Sequence, residues 1–474
     1  MELPTAIPNY FWLVFHLGPA ALSVYHALLY KRDSRSAMGW IMACIFVPFA
    51  GPVAYFLFGI NRVRSRAHGL RKPFYVVDNE AATKRLPVPP HAVEGSGIES
   101  AGQRITGRPV TPGNEVTPLH HGDGAYPAMI AAIGEAKHRV LLSTYIMKAD
   151  GVGMTFANEL QAAVSRGVEV KVLIDGVGEL YSLNRIAPVL RGKNVEVARF
   201  LPPKLFPPSA YINLRTHRKL LVVDNQIGFA GGMNISDDNT SADGRARSIS
   251  DIHFQLSGPV VGELAEVFYD DWQFATRSNI QPPRLPETEP RGQVRCRVVP
   301  DGPNVDLDSL ALTIEAAISA ATRSVDIMTP YFLPNRALLA SLVSAILRGV
   351  RVRLVLPEKN NLWYVHWANR NELAELLQWN TEVYYQPEPF CHSKLLCVDE
   401  AYTLIGSANL DTRSLRLNFE VGIEVFSEAL TSDLRKHFEQ VISTSRPVTY
   451  EELADRSIPI RLRDAAADLF SPYM

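Results

Sequence analysis

The sequence predicts an α/β protein whose soluble body has two repeated halves, each a mixed sheet flanked by helices, preceded by a pair of apolar helices. Three observations support this prediction: two apolar runs near the N-terminus, alternating strand and helix patterns after residue 115, and short motifs that recur in the same order. A chain of 474 residues also exceeds the size of one ordinary domain. We expect four segments, at residues 1–72, 73–115, 116–285 and 286–474.

The first segment contains the two apolar runs, Tyr10–Tyr30 and Met38–Ile60, which hold no Asp, Glu, Lys or Arg. At about 1.5 Å of rise per residue, a helix over either run could cross a hydrocarbon core of roughly 30 Å. A cleaved signal peptide fits less well, because Glu2 stands where a basic residue is usual and a second run follows. Buried core helices are the other alternative. We therefore predict an N-terminal transmembrane helical hairpin.

Basic residues flank this hairpin unequally. The loop between the runs carries Lys31, Arg32 and Arg35, whereas five basic residues follow the second run, at positions 62, 64, 66, 71 and 72. Because the more basic flank tends to stay in the cytoplasm, the chain after residue 60 is predicted to be cytoplasmic. The stretch 73–115 is rich in proline and glycine, which is typical of a linker.

The soluble body begins with a regular alternation of strand and helix patterns. Val140–Ile146 and Val168–Ile174 are short apolar runs with many β-branched residues, as expected of buried strands. The segment Thr155–Ser165 between them has the periodicity of a helix. Strands that alternate with helices in this way are typical of an α/β fold.

Several of these segments occur twice. Arg166–Leu173 is echoed by Arg348–Val355, and the pair Thr144-Tyr145 is echoed by Thr329-Pro330-Tyr331, again just after an apolar strand. One such echo could arise by chance, but several in the same order indicate a duplicated unit. The sequence therefore predicts two related halves, at residues 116–285 and 286–474.

The most specific feature is a His-x-Lys-x4-Asp motif that occurs once in each half, followed each time by Gly-x-x-Asn. A single copy would be weak evidence, whereas two copies with the same downstream spacing are hard to reach by chance. The motif residues are His217, Lys219, Asp224, His392, Lys394 and Asp399, and the polar residues of the downstream element are Asn234, Ser407 and Asn409.

The spacing within each motif has a direct chemical interpretation. In a strand, His217 projects to the same face as Lys219, and His392 to the same face as Lys394. If the halves pack about a pseudo-twofold axis, both pairs converge on one pocket, where the lysines, the asparagines and Ser407 would stabilise an anionic phosphoryl group. One imidazole could attack phosphorus while the other protonates the leaving alcohol and then deprotonates the incoming one. This chemistry needs no metal and no cofactor, and the motifs leave open which histidine is the nucleophile.

Carboxylates complete the candidate site. A nucleophilic imidazole needs an acceptor for its other ring nitrogen, and Glu420 is the candidate in the second half, with Asp251 the candidate in the first. Either could instead be a surface carboxylate. We include Asp224 and Asp399 among the catalytic residues, although a carboxylate five positions beyond the lysine on a strand points to the opposite face, which favours a role in the fold.

Composition narrows the choice of partners. The formal net charge of −1 provides no global basic field, so nucleic acid is not expected as a partner. Four cysteines are too few for a disulfide framework in a chain of this length. The absence of a basic excess disfavours a nuclease-like phosphodiesterase. An inactive lipid-binding scaffold is disfavoured because both motifs are complete.

Longer segments around these motifs carry a likeness to a known family. They are Asn213–Lys219, Thr329–Pro334, Gly406–Ser414, Leu417–Glu420, Pro48–Gly59 and Leu469–Pro472. These segments resemble bacterial cardiolipin synthases of the phospholipase D superfamily, and the likeness covers nearly the whole chain except the linker. One departure is the stretch 237–250, which lacks the Trp-Arg pair expected before Asp251.

The resemblance implies a duplicated phospholipase D-type sheet with one active site shared by both halves. It also implies transfer of a phosphatidyl group from one phosphatidylglycerol to another, with release of glycerol, through a phosphohistidine intermediate. Phosphatidylglycerol and membrane lipids would then be the partners, at the inner membrane of a bacterial cell, with the protein crossing that membrane more than once. The alternatives are a hydrolytic phospholipase D, in which water replaces the acceptor, and a phosphatidyltransferase that uses another alcohol.

Overall fold

The computed structural model describes residues 9–31, 34–59, 97–203, 214–240, 248–278, 288–303 and 306–471. The chain divides into two compact units, Met1–Arg66 and Ala67–Met474. Arg32, the basic cluster at positions 62–72 and most of the predicted linker lie outside the described residues. The predicted membrane orientation, which depends on those basic residues, stays a prediction.

The N-terminal unit consists of α1 (Asn9–Tyr30), α2 (Ser34–Phe46), α3 (Ala50–Ala54) and a π-helical turn over Tyr55–Gly59. The first apolar run forms one helix as predicted, but the second does not, because the chain bends at Val47–Phe49. Pro48 has no N–H to continue the helix, and Phe49 adopts a positive φ of 60°. Among the described residues, no helix combines the length and the apolar character needed to cross a bilayer.

The second unit, which we call the catalytic unit, contains nineteen strands and twelve helices within its described residues. The strands of its first half are β1 (Thr111–His120), β2 (Arg139–Thr144), β3 (Glu169–Asp175), β4 (Glu196–Phe200), β5 (Leu220–Val223), β6 (Ile227–Gly231), β7 (Ile249–Ser250) and β8 (Ile252–Ser257). Those of its second half are β9 (Val294–Asp301), β10 (Ser324–Met328), β11 (Phe332–Leu333), β12 (Arg351–Pro357), β13 (Glu382–Gln386), β14 (Phe390–Cys391), β15 (Leu395–Val398), β16 (Tyr402–Gly406), β17 (Leu410–Asp411), β18 (Glu420–Phe426) and β19 (Arg446–Val448).

The helices of the catalytic unit flank these strands in the same alternating order. They are α4 (Gly97–Thr106), α5 (His121–Glu135), α6 (Gly151–Ser165), α7 (Ile186–Gly192), α8 (Val260–Thr276), α9 (Ser309–Ala320), α10 (Arg336–Leu347), α11 (Trp363–Leu377), α12 (Thr412–Arg416), α13 (Glu428–Thr444), α14 (Tyr450–Ala454) and α15 (Ile458–Asp468). Short 3-10 turns follow β3 at Gly178–Tyr181 and β6 at Asp237–Asn239.

Fifteen strands form one mixed sheet that is nearly symmetric about its centre. From the central antiparallel pair of β1 and β9, the order runs outward as β8-β6-β5-β2-β3-β4 on one side and as β18-β16-β15-β10-β12-β13-β19 on the other. In each half the outer three corresponding strands are parallel and the hairpin next to them is antiparallel. The predicted duplication of a mixed sheet flanked by helices is therefore confirmed, with β19 as an extra edge strand.

The predicted strands and helix lie close to their expected positions because their apolar residues face the core. Every residue of β5 and of β15 is buried, and the two strands begin immediately after the lysines of the repeated motif. Helix α6 begins four residues earlier than predicted, where Asp150 accepts a hydrogen bond of 3.0 Å from the N–H of Gly153 and so caps the first turn.

Part of the segment predicted as a linker is ordered structure. Helix α4 and the first residues of β1 lie within 97–115, where glycine and proline suggested an irregular connection. The helix is held by the buried guanidinium of Arg297, which donates to the carbonyl oxygen of Glu99 at 3.0 Å and pairs with Glu424 at 2.5 Å. These contacts come from residues distant in sequence, so local composition does not reveal them.

The two motif aspartates stabilise the fold at the end of the strands opposite the lysines. Asp224 accepts hydrogen bonds of 2.7–2.8 Å from the N–H groups of Lys137, His138 and Arg139, which lead into β2. Because β5 spans four residues between Lys219 and Asp224, at about 3.3 Å per residue, the carboxylate lies far from the motif lysine. Asp399 holds the corresponding turn before β10.

Asp399→Asn should destabilise the catalytic unit by about 1–3 kcal/mol, because its carboxylate accepts charge-assisted hydrogen bonds from three consecutive N–H groups, those of Thr322, Arg323 and Ser324. Burial alone would raise the pKa of Asp399, but these donors outweigh it and lower that pKa. Its stabilisation is therefore present above the ordinary aspartate pKa and is lost as the pH falls through the lowered value.

Denaturant unfolding of the parent and the variant between pH 7 and pH 3 measures this effect, and the difference should shrink as the pH falls. Asp433→Asn is the control. Asp433 is exposed, and within the described residues its single ion pair is with the exposed Lys436. Equal destabilisation by both substitutions would contradict the assignment of Asp399 to the turn.

Candidate active site

The two motif histidines lie where each half pairs a short strand with the other half. The N–H of His217 donates to the carbonyl oxygen of Phe419 at 2.9 Å, next to a parallel bridge between Thr216 and Phe419. In the same way the N–H of His392 donates to the carbonyl oxygen of Ser250 at 2.8 Å, at the end of the parallel pair β14 and β7. In each pairing, the residue that follows the backbone acceptor is a carboxylate, Glu420 in one case and Asp251 in the other. This carboxylate lies beside the histidine of the other half.

The carboxylates and imidazoles are therefore exchanged between the halves. The Nδ1 atom of His217 lies 2.9 Å and 3.1 Å from the two carboxylate oxygens of Glu420. The Nδ1 atom of His392 lies 2.9 Å from Oδ2 of Asp251. Both carboxylates are buried and both imidazoles are nearly so. The predicted orienting residues thus lie beside histidines, and the partner of each comes from the opposite half.

Besides its contact with a histidine, the Asp251 carboxylate accepts a hydrogen bond of 2.8 Å from the N–H of Ile252, and Glu420 accepts bonds from side chains. Its carboxylate accepts hydrogen bonds from the Ser407 hydroxyl at 2.5 Å and from the Asn418 amide at 3.2 Å. At the position equivalent to Ser407 the first half has Gly232, where an added Cβ would lie only 2.7 Å from an oxygen of Asp251. The structure therefore places Ser407 behind the carboxylate, where it donates to Glu420.

The two motif lysines face the same pocket from both sides. The Nζ atom of Lys219 donates to the carbonyl oxygen of His217 at 2.7 Å, and that of Lys394 donates to the carbonyl oxygen of His392 at 2.5 Å. An ammonium group has three N–H donors, so this contact leaves others that can reach an anion. Both side chains are buried, and a charge attracts an opposite charge more strongly in such surroundings than in water.

Burial sets the protonation of the pocket. It lowers the pKa of His217 to about 4, although the neighbouring Glu420 acts in the opposite direction. Burial, together with the charge of Lys394, lowers the pKa of His392 to about 4 as well. Burial also lowers the pKa of Lys394, to about 8, and holds that of Lys219 well below its ordinary range. At neutral pH both imidazoles are therefore neutral, with Nδ1–H donated to a carboxylate and a lone pair on Nε2.

The two asparagines differ in their contacts. Oδ1 of Asn234 accepts from the N–H of Ile146 at 3.2 Å, which orients its amide nitrogen away from that strand end. The amide nitrogen of Asn409 donates to the hydroxyl of Ser414 at 3.2 Å, within a buried turn capped by Asp411. The amide nitrogen of Asn234 is thus directed away from the strand end and could bind an anion, whereas one of the two N–H groups of Asn409 is engaged in the fold.

The structure adds aromatic residues that the motifs did not single out. The ring of Tyr145 lies 5.1 Å from the ring of His217 in an edge-on arrangement, and Nζ of Lys219 lies 5.5 Å from the same ring. Phe390 lies 6.0 Å from the ring of His392. The repeated Thr-Tyr and Thr-Pro-Tyr segments were a signal for Tyr145, because side chains that follow a strand end are placed at the site edge of the sheet.

Two predictions about the site have different outcomes. Asp224 and Asp399 do not reach the pocket, for the reason given above: each lies at the opposite end of the strand that follows its motif lysine. No group of three or more His, Cys, Asp or Glu residues is placed to hold a metal ion within the part of the chain that the structure describes. That the chemistry needs no metal and no cofactor stays a prediction.

The negative charge of Glu420 raises the pKa of the imidazole bonded to it, that of His217. Glu420→Gln removes this charge, so it should lower the pKa of His217 further and leave the pKa of His392 little changed. Asp251→Asn should do the same to His392. Both changes can be measured by titrating histidine-selective ¹⁵N resonances of the detergent-solubilised protein between pH 7 and pH 3.

The exposed Glu428 provides a matched control, since Glu428→Gln should alter neither titration. If Glu420→Gln shifted the resonance of His392 and spared that of His217, the exchange of carboxylates between halves would be wrong.

Comparison with known proteins agrees with this geometry. The sequence profile of the family described as cardiolipin synthase, PLD-like domain, matches residues 129–272 and 314–442, one stretch in each half. A second profile, phospholipase D-nuclease N-terminal, matches residues 19–59. Together the two stretches of the first profile cover more than half of the chain.

Relatives of full length are similar throughout. A cardiolipin synthase A from Pseudomonas putida is 32% identical over 98% of this chain and 97% of its own length. The major cardiolipin synthase of Bacillus subtilis (strain 168) is 29% identical over 94% of this chain and 95% of its own length. The crystal structure of phosphatidylserine synthase from Haemophilus influenzae Rd KW20 shares the fold, with a TM-score of 0.63 and 15% identity over 80% of this chain and 100% of that chain. The chain therefore belongs to the cardiolipin synthase family of proteins with two phospholipase D-like halves.

Proposed function

We propose that this protein is a cardiolipin synthase, which transfers a phosphatidyl group from one phosphatidylglycerol to the hydroxyl of a second and releases glycerol. The observation that carries the proposal is the pair of buried, neutral imidazoles, each bonded to a carboxylate of the other half and flanked by a lysine. This arrangement supplies a nucleophile, a proton carrier and positive charge at one point. Family membership supports the choice of lipid substrate.

The first half of the reaction forms a covalent intermediate. The Nε2 lone pair of one motif histidine attacks phosphorus, and the bond from phosphorus to the glycerol oxygen breaks. The other motif histidine gives its proton to that oxygen, so glycerol leaves as a neutral alcohol. Two neutral imidazoles cannot perform both tasks, and the bound anionic phosphodiester favours protonation of one of them by its negative charge.

The second half of the reaction reverses these roles. The imidazole that protonated glycerol now removes the proton from a hydroxyl of the second phosphatidylglycerol. That oxygen attacks phosphorus, the N–P bond breaks, and cardiolipin leaves while the nucleophile returns to its neutral form. One proton enters and one leaves the pocket, so the site is ready for another cycle.

The remaining polar residues stabilise charge or hold the imidazoles. Glu420 and Asp251 accept the Nδ1–H of the two histidines and favour the positive charge that each ring carries during the cycle. Lys219, Lys394 and the amide nitrogen of Asn234 would bind the nonbridging oxygens, which carry more charge at the transition state than in the bound lipid. Asp224 and Asp399 contribute to this function through the fold.

The N-terminal unit is proposed as the membrane anchor. Its helices expose large apolar side chains, with Leu22, Leu28, Met38 and Phe46 between 65% and 71% exposed. A soluble protein rarely shows so many apolar groups on one small unit, and a bilayer would cover them. We propose a hairpin of α1 and the bent second run in a bacterial inner membrane, with the catalytic unit on its cytoplasmic side.

Alkaline carbonate washing of membranes tests this anchor directly. This wash disrupts electrostatic contacts with the membrane surface but does not extract apolar segments from the bilayer. The full-length protein should therefore remain in the membrane pellet. Release of the whole population into the wash would contradict insertion and indicate a peripheral protein.

Substitution of either motif histidine by alanine should reduce cardiolipin formation by at least roughly 10³-fold, because residues that act as a unit cannot replace each other. The assay follows cardiolipin, phosphatidic acid and glycerol together from vesicles of labelled phosphatidylglycerol. His138→Ala is the matched control, since this exposed histidine precedes β2 and only its backbone N–H contacts a motif residue.

Different products separate the proposal from its alternatives. Equal amounts of cardiolipin and glycerol, lost in both histidine variants, are the expected result. Phosphatidic acid without cardiolipin would identify a hydrolytic phospholipase D. Transfer only when another alcohol is supplied would identify a different acceptor.

A further inference from the structure

We propose that the catalytic unit itself docks on the lipid bilayer, through an apolar rim around the mouth of its pocket. The rim consists of Leu180, Tyr181, Leu183 and Trp363, and it continues onto helix α15, which packs against α11 and exposes Ile458 and Leu462. This second membrane contact is separate from the N-terminal anchor, and its choice of partner rests on the proposed function, in which both substrates are lipids.

The two sides of the rim occupy equivalent places in the two halves. The turn Gly178–Tyr181 follows β3, and helix α11 follows β12, and these are the middle strands of the two parallel triplets. Both segments leave the sheet at the carboxyl ends of those strands. His217 and His392 lie at this same edge, since β5 and β15 run antiparallel to β2 and β10 and start there. The pseudo-twofold arrangement therefore places one side of the rim in each half.

On the side of the first half, aromatic rings lead from the histidine to the surface. The ring of Tyr145 is 5.1 Å from His217, and the ring of Tyr181 is 6.0 Å from Tyr145. Tyr181 is 65% exposed, and Leu183 beyond it is fully exposed. A leucine so placed gains nothing from the folded protein alone, and about 25 cal/mol per Å² would favour its transfer from water to lipid.

The side of the second half has a similar path. A small buried cluster lies around the start of α11 and consists of Leu333, Val365 and Ala368. The partly buried residues packed against it are Tyr331, Leu362, Tyr364 and Ala467. Trp363 lies on the same turn and is 60% exposed, and its ring is 4.4 Å from that of Trp367. Indole rings that are half exposed beside a pocket are favoured at the boundary between lipid and water.

Helix α15 extends this side of the rim. Unlike an ordinary surface helix, it turns a charged residue toward the protein and apolar residues toward solvent. Its buried residue is a carboxylate, Asp464, which pairs with Arg456, with Arg463 at 2.6 Å and with Arg370 of α11 at 3.6 Å. The guanidinium of Arg463 also lies 4.1 Å from the ring of Trp367. These charged contacts fix the helix against α11 with its polar side inward.

The opposite face of α15 is apolar and faces solvent. Ile458 and Leu462 are 72% and 66% exposed, and Leu469 just beyond the helix is 79% exposed. Spacings of four and seven residues place all three on one stripe of the helix. A helix that buries its carboxylate and exposes its leucines has an outward partner of low polarity.

A bilayer accounts for all of these features together. A second copy of the chain could cover the stripe on α15, but it would then also block the pocket mouth that the rim surrounds. A lipid surface covers both sides and delivers the diacyl substrate between them.

Fluorescence quenching by membrane-embedded nitroxides tests this docking. The four native cysteines are buried, so an introduced surface cysteine can be labelled selectively. We would label Leu183→Cys and Leu462→Cys in the full chain, reconstituted in vesicles of phosphatidylglycerol and phosphatidylethanolamine with nitroxide-labelled acyl chains. A His217→Ala background prevents turnover of the vesicle lipid. Leu347→Cys is the matched control, because Leu347 is 66% exposed at the end of α10 that precedes β12, at the opposite edge of the sheet.

Labels at 183 and 462 should be quenched severalfold more strongly than the label at 347. Equal quenching at the three positions would overturn the docking surface. Labels at 183 and 462 that are shielded from water but not quenched by the nitroxides would also overturn the docking surface. That result would identify a second copy or the N-terminal unit as the occupant. Quenching does not require catalysis, so this result is independent of whether the chain makes cardiolipin.

Discussion

The structure depends on the exchange of carboxylates between the two halves. His217 is oriented by Glu420 and His392 by Asp251, and each contact is fixed by a backbone hydrogen bond one residue away. Because the bonded segments are short and parallel, neither half can place its own imidazole without the other. The buried side chain of Arg218 adds to this seam, since it donates to the carbonyl oxygens of Glu420 and Asp301 and pairs with Asp271.

This exchange reconciles burial with reactivity. A buried imidazole without an acceptor would lose its hydrogen bond to water, and a buried carboxylate without a donor would be costly to keep charged. Paired with each other, His217 and Glu420 stay in fixed orientation, and the pKa of Glu420 lies below its ordinary range because nearby His217 and Lys219 outweigh the effect of burial. The result is a neutral ring that carries a lone pair on Nε2 and lies beside a lysine, which is the state that a nucleophile needs.

The sequence predicted the duplicated sheet because strand and motif patterns recur locally. It singled out the histidines and carboxylates that the structure brings together, because residues of these types are unusual together. It did not reveal the exchange between halves, since the register of Thr216 against Phe419 joins segments some 200 residues apart. For a similar reason Ser407 was predicted to bind phosphate, although its hydroxyl is directed at Glu420. The break at Pro48 in the second apolar run was visible in principle, because proline ends a helix. The aspartates of the motif were ambiguous, and their strand-end position favours the fold.

The covalent intermediate is the most direct test of the account. Phosphatidylglycerol labelled with ³²P in its phosphate would be mixed with the enzyme, quenched within a turnover, and the protein digested under alkaline conditions that preserve phosphoramidates. The account predicts acid-labile label on one of two peptides, that of His217 or that of His392, and loss of the label when an excess of unlabelled phosphatidylglycerol is added and cardiolipin forms. Cardiolipin formation without protein-bound phosphorus, or label on any other residue, would contradict it.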